Sequence, residues 1–208
     1  IIIPVFNKIE LTNRCIESIY TLTPKCNYEV IVVNNNSTDG TELQLVEFSK
    51  KYANLHVIHN PVNQGFAKAN NQGFEVSKGK YIVLLNNDTE VTEDWLDPLI
   101  EILESDPEVG AVGAKLLYPD GTIQHAGVVL VDNRKIGDPL RGEHIYSKEQ
   151  SDYPEANEPR YYQALTAACL MMRRELFSEL GGLDEDFWNG YEDIDLCFRI
   201  QENGYKLV

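Results

Sequence analysis

The sequence predicts an α/β protein, a Rossmann-like sandwich in which helices flank a mostly parallel central sheet. Short runs rich in valine and isoleucine alternate with longer segments of helical period in the first half of the chain. Of the 208 residues, 43% are hydrophobic and 25% are charged, which suits one globular domain with a core of its own. We therefore expect a single domain over residues 1–208.

Four strands are expected in the first half of the chain, at 1–5, 29–33, 55–58 and 81–85. A first helix follows the first strand, because Leu11, Cys15 and Ile19 recur every four residues. A second helix ends near Tyr52 and a third covers about 66–77. This alternation of strands and helices is typical of βαβ units on a parallel sheet.

A fourth helix is expected to begin after Thr92, with Glu93 and Asp94 in its first turn, where the helix dipole favours acidic residues. Beyond about residue 110 the pattern changes. Three more strands are expected near 111–117, 127–131 and 165–171, followed by a closing helix from about Glu192 to Gly204.

The stretch 132–160 is acidic, contains three prolines and has no sustained period. It fits either a mobile loop or a short disordered insert. Both ends of the sequence look cut, since it opens inside an apolar strand and residues 205–208 read as the start of another strand. We expect a segment of a longer protein.

The charge of the chain limits its partners. A formal net charge of −15 and a pI near 4.6 argue against nucleic-acid binding, which needs clustered lysine and arginine. A diphosphate ligand would also be repelled by this surface, so a metal ion or backbone N–H groups must meet its charge locally.

Four cysteines lie far apart without a C-x-x-C pair, and Cys15, Cys169 and Cys197 sit in apolar segments. They fit reduced, buried thiols. No apolar run approaches the roughly 18 residues of a spanning helix, and no signal-peptide pattern is present. We expect a cytoplasmic protein, and any association with the inner face of the membrane would come from regions outside this sequence.

Amide side chains follow each of the first four predicted strands. They are Asn7 after the first, Asn34 to Asn36 with Ser37 after the second, Asn60 and Asn63 after the third, and Asn86 and Asn87 with Asp88 after the fourth. Ligands bind beyond the carboxyl ends of strands in open parallel sheets. Any one of these loops could be a simple turn, but four together favour a site that binds a base and ribose.

Asp88 combines a strand end with flanking amides, a pattern that presents hard oxygen ligands to a divalent cation. One carboxylate suffices for Mg²⁺ when a diphosphate supplies further oxygens. The alternative for this segment alone is a turn or a helix cap.

The segment 187–195 brings aromatic residues and a glycine to three acids at a helix start. Asp195 precedes Arg199 by four residues and is expected to pair with it, whereas Glu192 and Asp193 have no such local partner. A carboxylate beside an aromatic platform could deprotonate a sugar hydroxyl, although the helix dipole alone also favours acids there. His125 could face the same site, and a hydrogen-bonded structural role is the alternative.

These motifs together resemble the family 2 glycosyltransferases of the GT-A fold, particularly the bacterial rhamnosyltransferase-like members. Residues 2–7, 32–41 and 63–73 look like the three nucleotide-binding segments of that family, and Asn86-Asn87-Asp88 stands at its D-x-D metal motif. Glu192-Asp193 stands at its E-D motif. The chain has Asn34 where many relatives carry an aspartate that contacts the base, and Asn86 where the metal motif usually begins with aspartate.

The resemblance implies a set of site residues. Asp193 would be the catalytic base, Asp88 would bind Mg²⁺ or Mn²⁺, and His125, Trp188 and Glu192 would contact the acceptor. The nucleotide would be bound by Pro4, Val5, Phe6, Asn7, Asn34, Asn36, Ser37, Gly65, Lys68, Asn70, Asn86 and Asn87.

The function so implied is an inverting transfer from a UDP- or dTDP-sugar to the hydroxyl of a saccharide or lipid-linked saccharide, in the synthesis of cell-surface polysaccharide or glycoconjugate. Residues 1–110 would form the donor half and 111–208 the acceptor half. Two alternatives stay open. One is a nucleotidyltransferase, whose usual basic, glycine-rich N-terminal loop is not found in residues 4–12. The other is a binding module without catalytic activity.

Overall fold

A computed structural model describes residues 1–23, 27–133 and 138–208, with the side chains of 132–133 and 138–140 left undescribed. The described residues form a central seven-stranded sheet and two smaller two-stranded sheets. The strands are β1 (Ile2–Val5), β2 (Val30–Asn34), β3 (Leu55–His59), β4 (Tyr81–Leu85), β5 (Val109–Gly113), β6 (Leu116–Leu117), β7 (Ile123–His125), β8 (Val128–Asn133), β9 (Asp138–His144), β10 (Cys169–Arg173) and β11 (Lys206–Leu207).

The central sheet has the order β11-β5-β10-β4-β1-β2-β3. Strands β4, β1, β2 and β3 run parallel to one another, and β11 runs parallel to β5. Strand β10 lies between β4 and β5 and is antiparallel to both. The prediction of a mostly parallel sheet is confirmed, and β10 is the exception.

Helices cover both faces of the sheet. They are α1 (Ile9–Leu22), α2 (Thr41–Lys51), α3 (Phe66–Val76), α4 (Asp97–Ser105), α5 (Arg174–Glu179) and α6 (Glu192–Glu202). Helices α1, α2 and α4 pack on one face, where Ile3 and Val83 belong to the core. Helices α3, α5 and α6 pack on the other, where the alternate residues Ile2 and Ile82 belong to it. Alternate side chains of a strand point to opposite faces, so each strand supplies both cores.

The first three helices and the four strands of the first half lie where the sequence predicted them. The predicted start of the fourth helix at Glu93 and Asp94 is wrong, because α4 begins at Asp97 and Asp94 has a φ of 55°. Pro98 explains the later start. Proline has no N–H to donate and is tolerated only in the first turn of a helix.

The second half differs more from the prediction. The single strand expected near 111–117 is two strands, since β5 ends at Gly113 and β6 pairs instead with β7 in a separate small sheet. The strand expected at 165–171 begins only at Cys169. The loop-rich stretch 132–160 contains β9, which pairs with β8 in a hairpin, and a 3₁₀ turn at Pro154–Ala156. Residues 134–137 of that stretch lie outside the described residues.

Three cysteines are free and buried, as the sequence predicted: Cys15, Cys169 and Cys197. Burial raises the pKa of each thiol to about 12, so all three are protonated at neutral pH. Cys26 lies outside the described residues. No helix in the described ranges is long and apolar enough to cross a membrane.

Asp39 connects the starts of two helices. One carboxylate oxygen accepts the backbone N–H of Ile9 at 3.0 Å, at the first residue of α1. The other accepts the backbone N–H of Thr41 at 3.2 Å and its hydroxyl at 2.6 Å, at the first residue of α2. Partial desolvation alone would raise the pKa of this carboxyl, but the hydrogen bonds outweigh it and lower the pKa.

We expect Asp39→Ala to lower the free energy of unfolding by about 1–2 kcal/mol at pH 7, because both helix starts lose an acceptor. A carboxyl whose pKa is lowered by folding stabilises the protein above its unfolded value of 3.8, and this stabilisation disappears as the pH falls through the lowered pKa. Urea unfolding from pH 7 downward measures both effects. Asp152→Ala, which removes an exposed carboxylate, is the control. An equal loss of stability in both variants would contradict the role of Asp39 as the acceptor at the two helix starts.

Candidate active site

The loops after β1 and β2 are joined through Asn7. Its backbone N–H donates to the Ser37 hydroxyl at 2.8 Å, and its side-chain oxygen accepts the N–H of Thr38 at 2.8 Å. Asn7 has a φ of 58°, a left-handed conformation that asparagine tolerates better than most residues. The two hydrogen bonds stabilise this backbone conformation and fix one side of the predicted nucleotide site.

Asn34 is only 2% exposed and its side chain is already bonded within the protein. Its oxygen accepts the N–H of Ser37 at 3.0 Å, and its amide nitrogen lies 3.3 Å from Nδ1 of His59. Asn36 is exposed at the turn, with a φ of 64°, and Phe6 is 50% exposed. The exposed members of this group, rather than Asn34, are free to touch a base or ribose.

A buried amide network lies behind these loops and includes Asn35 and Asn60, two of the amides that were expected to form the ligand site. The amide nitrogen of Asn35 donates to the carbonyl of Gly65 at 3.1 Å, and its oxygen accepts from Asn60 at 2.8 Å. Asn60 also donates to Gln72 at 2.7 Å. Asn35 and Asn60 each directly follow a strand, and this position is what the sequence shows of them. Their role is to lock the loops after β2 and β3 together.

Gly65 brings the third nucleotide-binding segment against the aromatic segment. It has a φ of 84° and a ψ of 173°, a region open essentially to glycine alone. A Cβ here would lie 2.9 Å from the backbone oxygen of Trp188. That oxygen accepts the N–H of Phe66 at 3.2 Å. The indole itself is 62% exposed, so it is open to a ligand.

Two further predicted nucleotide residues have internal roles. Lys68 lies 3.8 Å from a carboxylate oxygen of Glu185, and both side chains are partly exposed. Asn70 is fully buried and donates to the carbonyl of Phe66 at 3.0 Å. Its side-chain oxygen has no partner among the described residues. Pro4 and Val5 are buried in β1, so only their backbone can approach a ligand.

The loop after β4 carries the predicted metal motif. Asn87 donates to the Thr12 hydroxyl at 2.9 Å and to the carbonyl of Asn7 at 3.5 Å, which ties this loop to α1 and β1. Asn86 donates its backbone N–H to the carbonyl of Ala168 at 3.0 Å. Asp88 itself is exposed and has no hydrogen-bond or ion-pair partner within the described part of the chain.

The donor set of this loop fits Mg²⁺ or Mn²⁺. The free carboxylate of Asp88 is a hard oxygen ligand, and the side-chain oxygen of Asn86 is buried without a partner in the described ranges. No three His, Cys, Asp or Glu side chains cluster as a metal site in the described residues. The loop therefore suits a cation that takes most of its ligands from a bound diphosphate and water.

Asp193, at the start of α6, is held by the main chain. One oxygen accepts the N–H of Ala167 at 3.1 Å and the other that of Ile194 at 2.9 Å. A carboxylate has about four lone-pair sites, so both oxygens keep capacity for a substrate proton. Asp195 pairs with Arg199, its carboxylate 2.8 Å from Nε, as the four-residue spacing predicted. Asp195 is therefore engaged in an ion pair, whereas Asp193 is the candidate base.

Glu192 is 6% exposed, and its Oε2 has no partner among the described residues. Burial, and to a lesser extent the charge of Asp193, raises the pKa of this carboxyl. The residue before it, Tyr191, has a φ of 71°. A buried carboxylate with one unpartnered oxygen at a helix start is costly for folding and is therefore a candidate for ligand contact.

Asp193 lines a cavity of about 160 Å³ together with His144, Thr166, Gly190, Tyr191 and Ile194. A larger cavity of about 370 Å³ lies near the start of α4 and includes Trp95 and Arg160. It contains neither Asp88 nor Asp193. Asp193 and His144 line the smaller cavity, His125 lines the larger one, and Asp88 lines neither of the two.

His125 lies in the interior, 1% exposed, with its Nδ1 2.8 Å from Nδ1 of His144. Burial, with the neighbouring His144, lowers the pKa of His125 to about 3, so its ring is neutral at physiological pH. The predicted acceptor residue is thus covered, and His144, which the sequence analysis did not select, is the exposed member of the pair.

Comparison with known proteins assigns the family. The model described as glycosyl transferase family 2 matches residues 1–181. The chain belongs to glycosyl transferase family 2. The O-antigen biosynthesis protein RfbC of Myxococcus xanthus is 34% identical over 211 residues, which cover 100% of this chain and 16% of RfbC.

Two further proteins extend the likeness of this family 2 domain. An N-acetylglucosaminyl-diphospho-decaprenol L-rhamnosyltransferase of Mycobacterium tuberculosis is 24% identical over 86% of the chain and 62% of that enzyme. The solved mannosyltransferase PcManGT of Pyrobaculum calidifontis, in complex with GDP-Man and Mn²⁺, superimposes with a TM-score of 0.73 at 22% identity. That match covers 100% of this chain and 52% of PcManGT. The family and the GT-A fold are as the sequence motifs predicted.

We expect Gly65→Ala to destabilise this family 2 domain by about 1–3 kcal/mol from backbone strain alone, with a further loss from the collision with the Trp188 carbonyl. The matched control is Gly121→Ala, since Gly121 has a φ of 85° but open space where a Cβ would stand. Urea denaturation of both variants separates strain from collision. Equal losses of unfolding free energy in the two variants would show that the collision with the Trp188 carbonyl does not contribute to stability.

We expect Glu192→Gln to be more stable than the wild type at pH 7. A carboxyl whose pKa is raised by folding makes stability fall as pH rises from the unfolded value of 4.5 to the raised value. The neutral amide removes that fall. Thermal unfolding between pH 4 and pH 8 measures the difference, with Asp195→Asn as the comparison, which loses its pair with Arg199 and should be destabilised. A Glu192→Gln variant with an unchanged pH profile would argue against a buried charge.

Proposed function

We propose that this domain is an inverting glycosyltransferase that moves a sugar from a UDP- or dTDP-sugar donor to an acceptor hydroxyl. The observation that carries the proposal is the connection of Asp88's loop and Asp193 through adjacent residues. Ala168 accepts from Asn86 and Ala167 donates to Asp193, so the metal motif and the base candidate are tied to neighbouring residues, which supports a shared site. Residues 1–110 bind the donor and 111–208 the acceptor.

The donor half holds the nucleotide without positive charge. The base and ribose lie against the loops of Phe6, Asn7, Asn36 and Ser37, where amides and hydroxyls can both donate and accept. The lack of a side chain at Gly65 lets the third nucleotide-binding segment lie directly against Trp188. Asn34, Lys68, Asn70, Asn86 and Asn87 shape this surface through their internal bonds.

Mg²⁺ or Mn²⁺ bound at Asp88 would neutralise the diphosphate and stabilise it as the leaving group. Asp88 is free to provide this ligand because it has no other partner in the described residues. The Mn²⁺ of PcManGT supports a divalent cation for this domain as well. The net charge of −15 makes such local neutralisation necessary for binding a diphosphate.

Asp193 removes the proton of the acceptor hydroxyl as its oxygen attacks the anomeric carbon, and the C–O bond to the diphosphate breaks. The electron pair of that bond leaves with the diphosphate, and the configuration at the anomeric carbon inverts. The base is half-buried and lines a cavity, and both its oxygens are oriented by backbone N–H groups. Trp188 and Glu192 flank the acceptor, the first as an exposed stacking surface.

The relatives suggest the setting of the reaction. RfbC is named for O-antigen biosynthesis and the mycobacterial relative for transfer to a lipid diphosphate. We accordingly propose a saccharide or lipid-linked saccharide acceptor in cell-surface polysaccharide or glycoconjugate synthesis. The chain spans 16% of RfbC and 62% of the mycobacterial enzyme, so other parts of a longer protein would contribute to the acceptor and to any membrane association.

Calorimetric titration of UDP, dTDP, GDP and CDP, with and without Mn²⁺, tests the donor site. One diphosphate should bind in a metal-dependent way, and Asp88→Ala should abolish the dependence on metal because the free carboxylate is lost. Glu93→Gln, which removes an exposed acid close by, should bind as the wild type does. If none of the four binds to the folded, full-length protein, the transferase proposal fails.

Asp193→Asn should reduce transfer by about 10²–10⁴, the usual contribution of a general base, while the affinity for the nucleoside diphosphate stays unchanged. The measurement is nucleoside diphosphate release from a donor sugar in the presence of acceptor, beside calorimetry on the same samples. Full activity of Asp193→Asn would remove it as the base. Binding without transfer or donor hydrolysis in the wild type would favour the non-catalytic module.

A further inference from the structure

The buried His125 has a defined tautomer. The backbone N–H of Gly127 donates to its Nε2 at 3.3 Å, so this nitrogen carries the lone pair. The ring is neutral, and its proton is therefore on Nδ1. Nδ1 lies 2.8 Å from Nδ1 of His144, and the only balanced arrangement is donation from His125 to His144. His144 consequently carries its own proton on Nε2.

The position of the Gly127 N–H is fixed by packing. Gly127 has a φ of 105°, and a Cβ there would lie 2.2 Å from a ring atom of Tyr162. No other residue could occupy this position without displacing the tyrosine. The hydrogen bond from the Gly127 N–H to Nε2 of His125 is therefore held in place by packing. It orients the His125 ring, which in turn orients the ring of His144.

His144 reaches the cavity that contains Asp193. It stands at the end of β9, two residues after Gly142, where a Cβ would lie 2.9 Å from Cδ1 of Ile194. Strand β9 thus packs directly on the first turn of α6, next to Asp193. His144 is exposed, and it and Thr166 line the same cavity of about 160 Å³ as the base.

The charge around this cavity selects the kind of atom that His144 can bind. Asp193 lines the cavity and Glu192 precedes it in the first turn of α6, so a phosphate or carboxylate would approach acidic side chains. Asp195, by contrast, is paired with Arg199. A neutral hydroxyl or ring oxygen meets no such repulsion and can accept from a neutral N–H. The volume corresponds to roughly five water molecules at about 30 Å³ each, enough for one edge of a sugar ring.

We propose that His144 positions the acceptor sugar, with its Nε2–H donating to a sugar oxygen beside the hydroxyl that Asp193 deprotonates. His125 is a positioning residue that acts through His144 by donating to its Nδ1. This inference rests on the proposed function, because it assigns the acceptor side of the same site. It gives His125 an indirect role on that side, although its own ring is covered.

The tautomers are tested directly by long-range ¹H–¹⁵N NMR of the intact protein labelled at histidine. We expect His125 in the Nδ1–H form and His144 in the Nε2–H form. His125→Leu should abolish the single form of His144 and leave its two tautomers mixed, since the donor to Nδ1 is gone. A wild-type His125 in the Nε2–H form, or charged at pH 7, would overturn the proposal.

Sugar binding is tested with methyl glycosides of hexoses, 6-deoxyhexoses and N-acetylhexosamines, added to protein saturated with the nucleoside diphosphate and Mn²⁺. At least one glycoside should shift the His144 ring signals. His144→Ala should weaken its binding roughly threefold to tenfold, as expected for one lost hydrogen bond, and His144→Gln should restore part of it through an amide N–H. His56→Ala, an exposed histidine on β3, is the control and should change nothing.

Calorimetry of the nucleoside diphosphate on the same samples separates the two proposals. If the nucleotide binds and no glycoside affects His144, or if His144→Ala binds the glycoside as the wild type does, the role of His144 is overturned while the donor site stands. If a glycoside binds at His144 but no nucleotide binds, the transferase proposal fails and a carbohydrate site at His144 is supported.

Discussion

The geometry of the site depends on one short turn, residues 167 and 168, which leads into the antiparallel strand β10. Ala168 accepts the N–H of Asn86 at 3.0 Å, and Ala167 donates to Asp193 at 3.1 Å. The loop after β4 and the start of α6 are therefore registered against each other through these two hydrogen bonds. One of these bonds joins two backbone groups, and the other joins a backbone N–H to the side chain of Asp193, so substitution of Asp193 removes one of the two links.

Neutral amides take the place of charges over much of the donor half. Asn7, Asn35 and Asn60 each bond across two loops, so three separate strand ends behave as one surface. Such a network is rigid only when its members are satisfied, and nearly all of these bonds are internal to the protein. In an acidic chain this design has a further benefit, because it adds no charge that would repel a diphosphate.

The sequence was sufficient for the parts of the fold that depend on local periodicity. Strands β1 to β4 and helices α1 to α3 lie where hydrophobic spacing predicted them. Asp88 was selected from its position at a strand end, and Asp193 was selected over Glu192 through the resemblance to the family's E-D motif. Their geometric positions are compatible with the roles that the motifs implied. The roles themselves stay proposals that await measurement.

The remaining features of the fold depend on pairing between residues that are distant in the sequence, and hydrophobic periodicity gives no information on such pairing. The antiparallel direction of β10, the division at Gly113 and the β8–β9 hairpin are all set by partners far along the chain. His144 is a lone histidine in an irregular acidic stretch, and only its contact with His125 distinguishes it. The late start of α4 could have been predicted from the sequence, because Pro98 is incompatible with a helix interior.

The contact between Gly65 and Trp188 also bears on how specificity can diverge among related enzymes. The donor segment meets residue 188 through a main-chain carbonyl, while the indole is 62% exposed. Ring atoms of Trp188 also lie beside Gly65, 3.4 and 3.5 Å from where a Cβ would stand, so the side chain at position 188 and the donor segment are in direct contact. If Trp188 contacts the acceptor as proposed, a substitution there that changes acceptor preference would also alter the packing of the third nucleotide-binding segment, which couples the evolution of the two specificities.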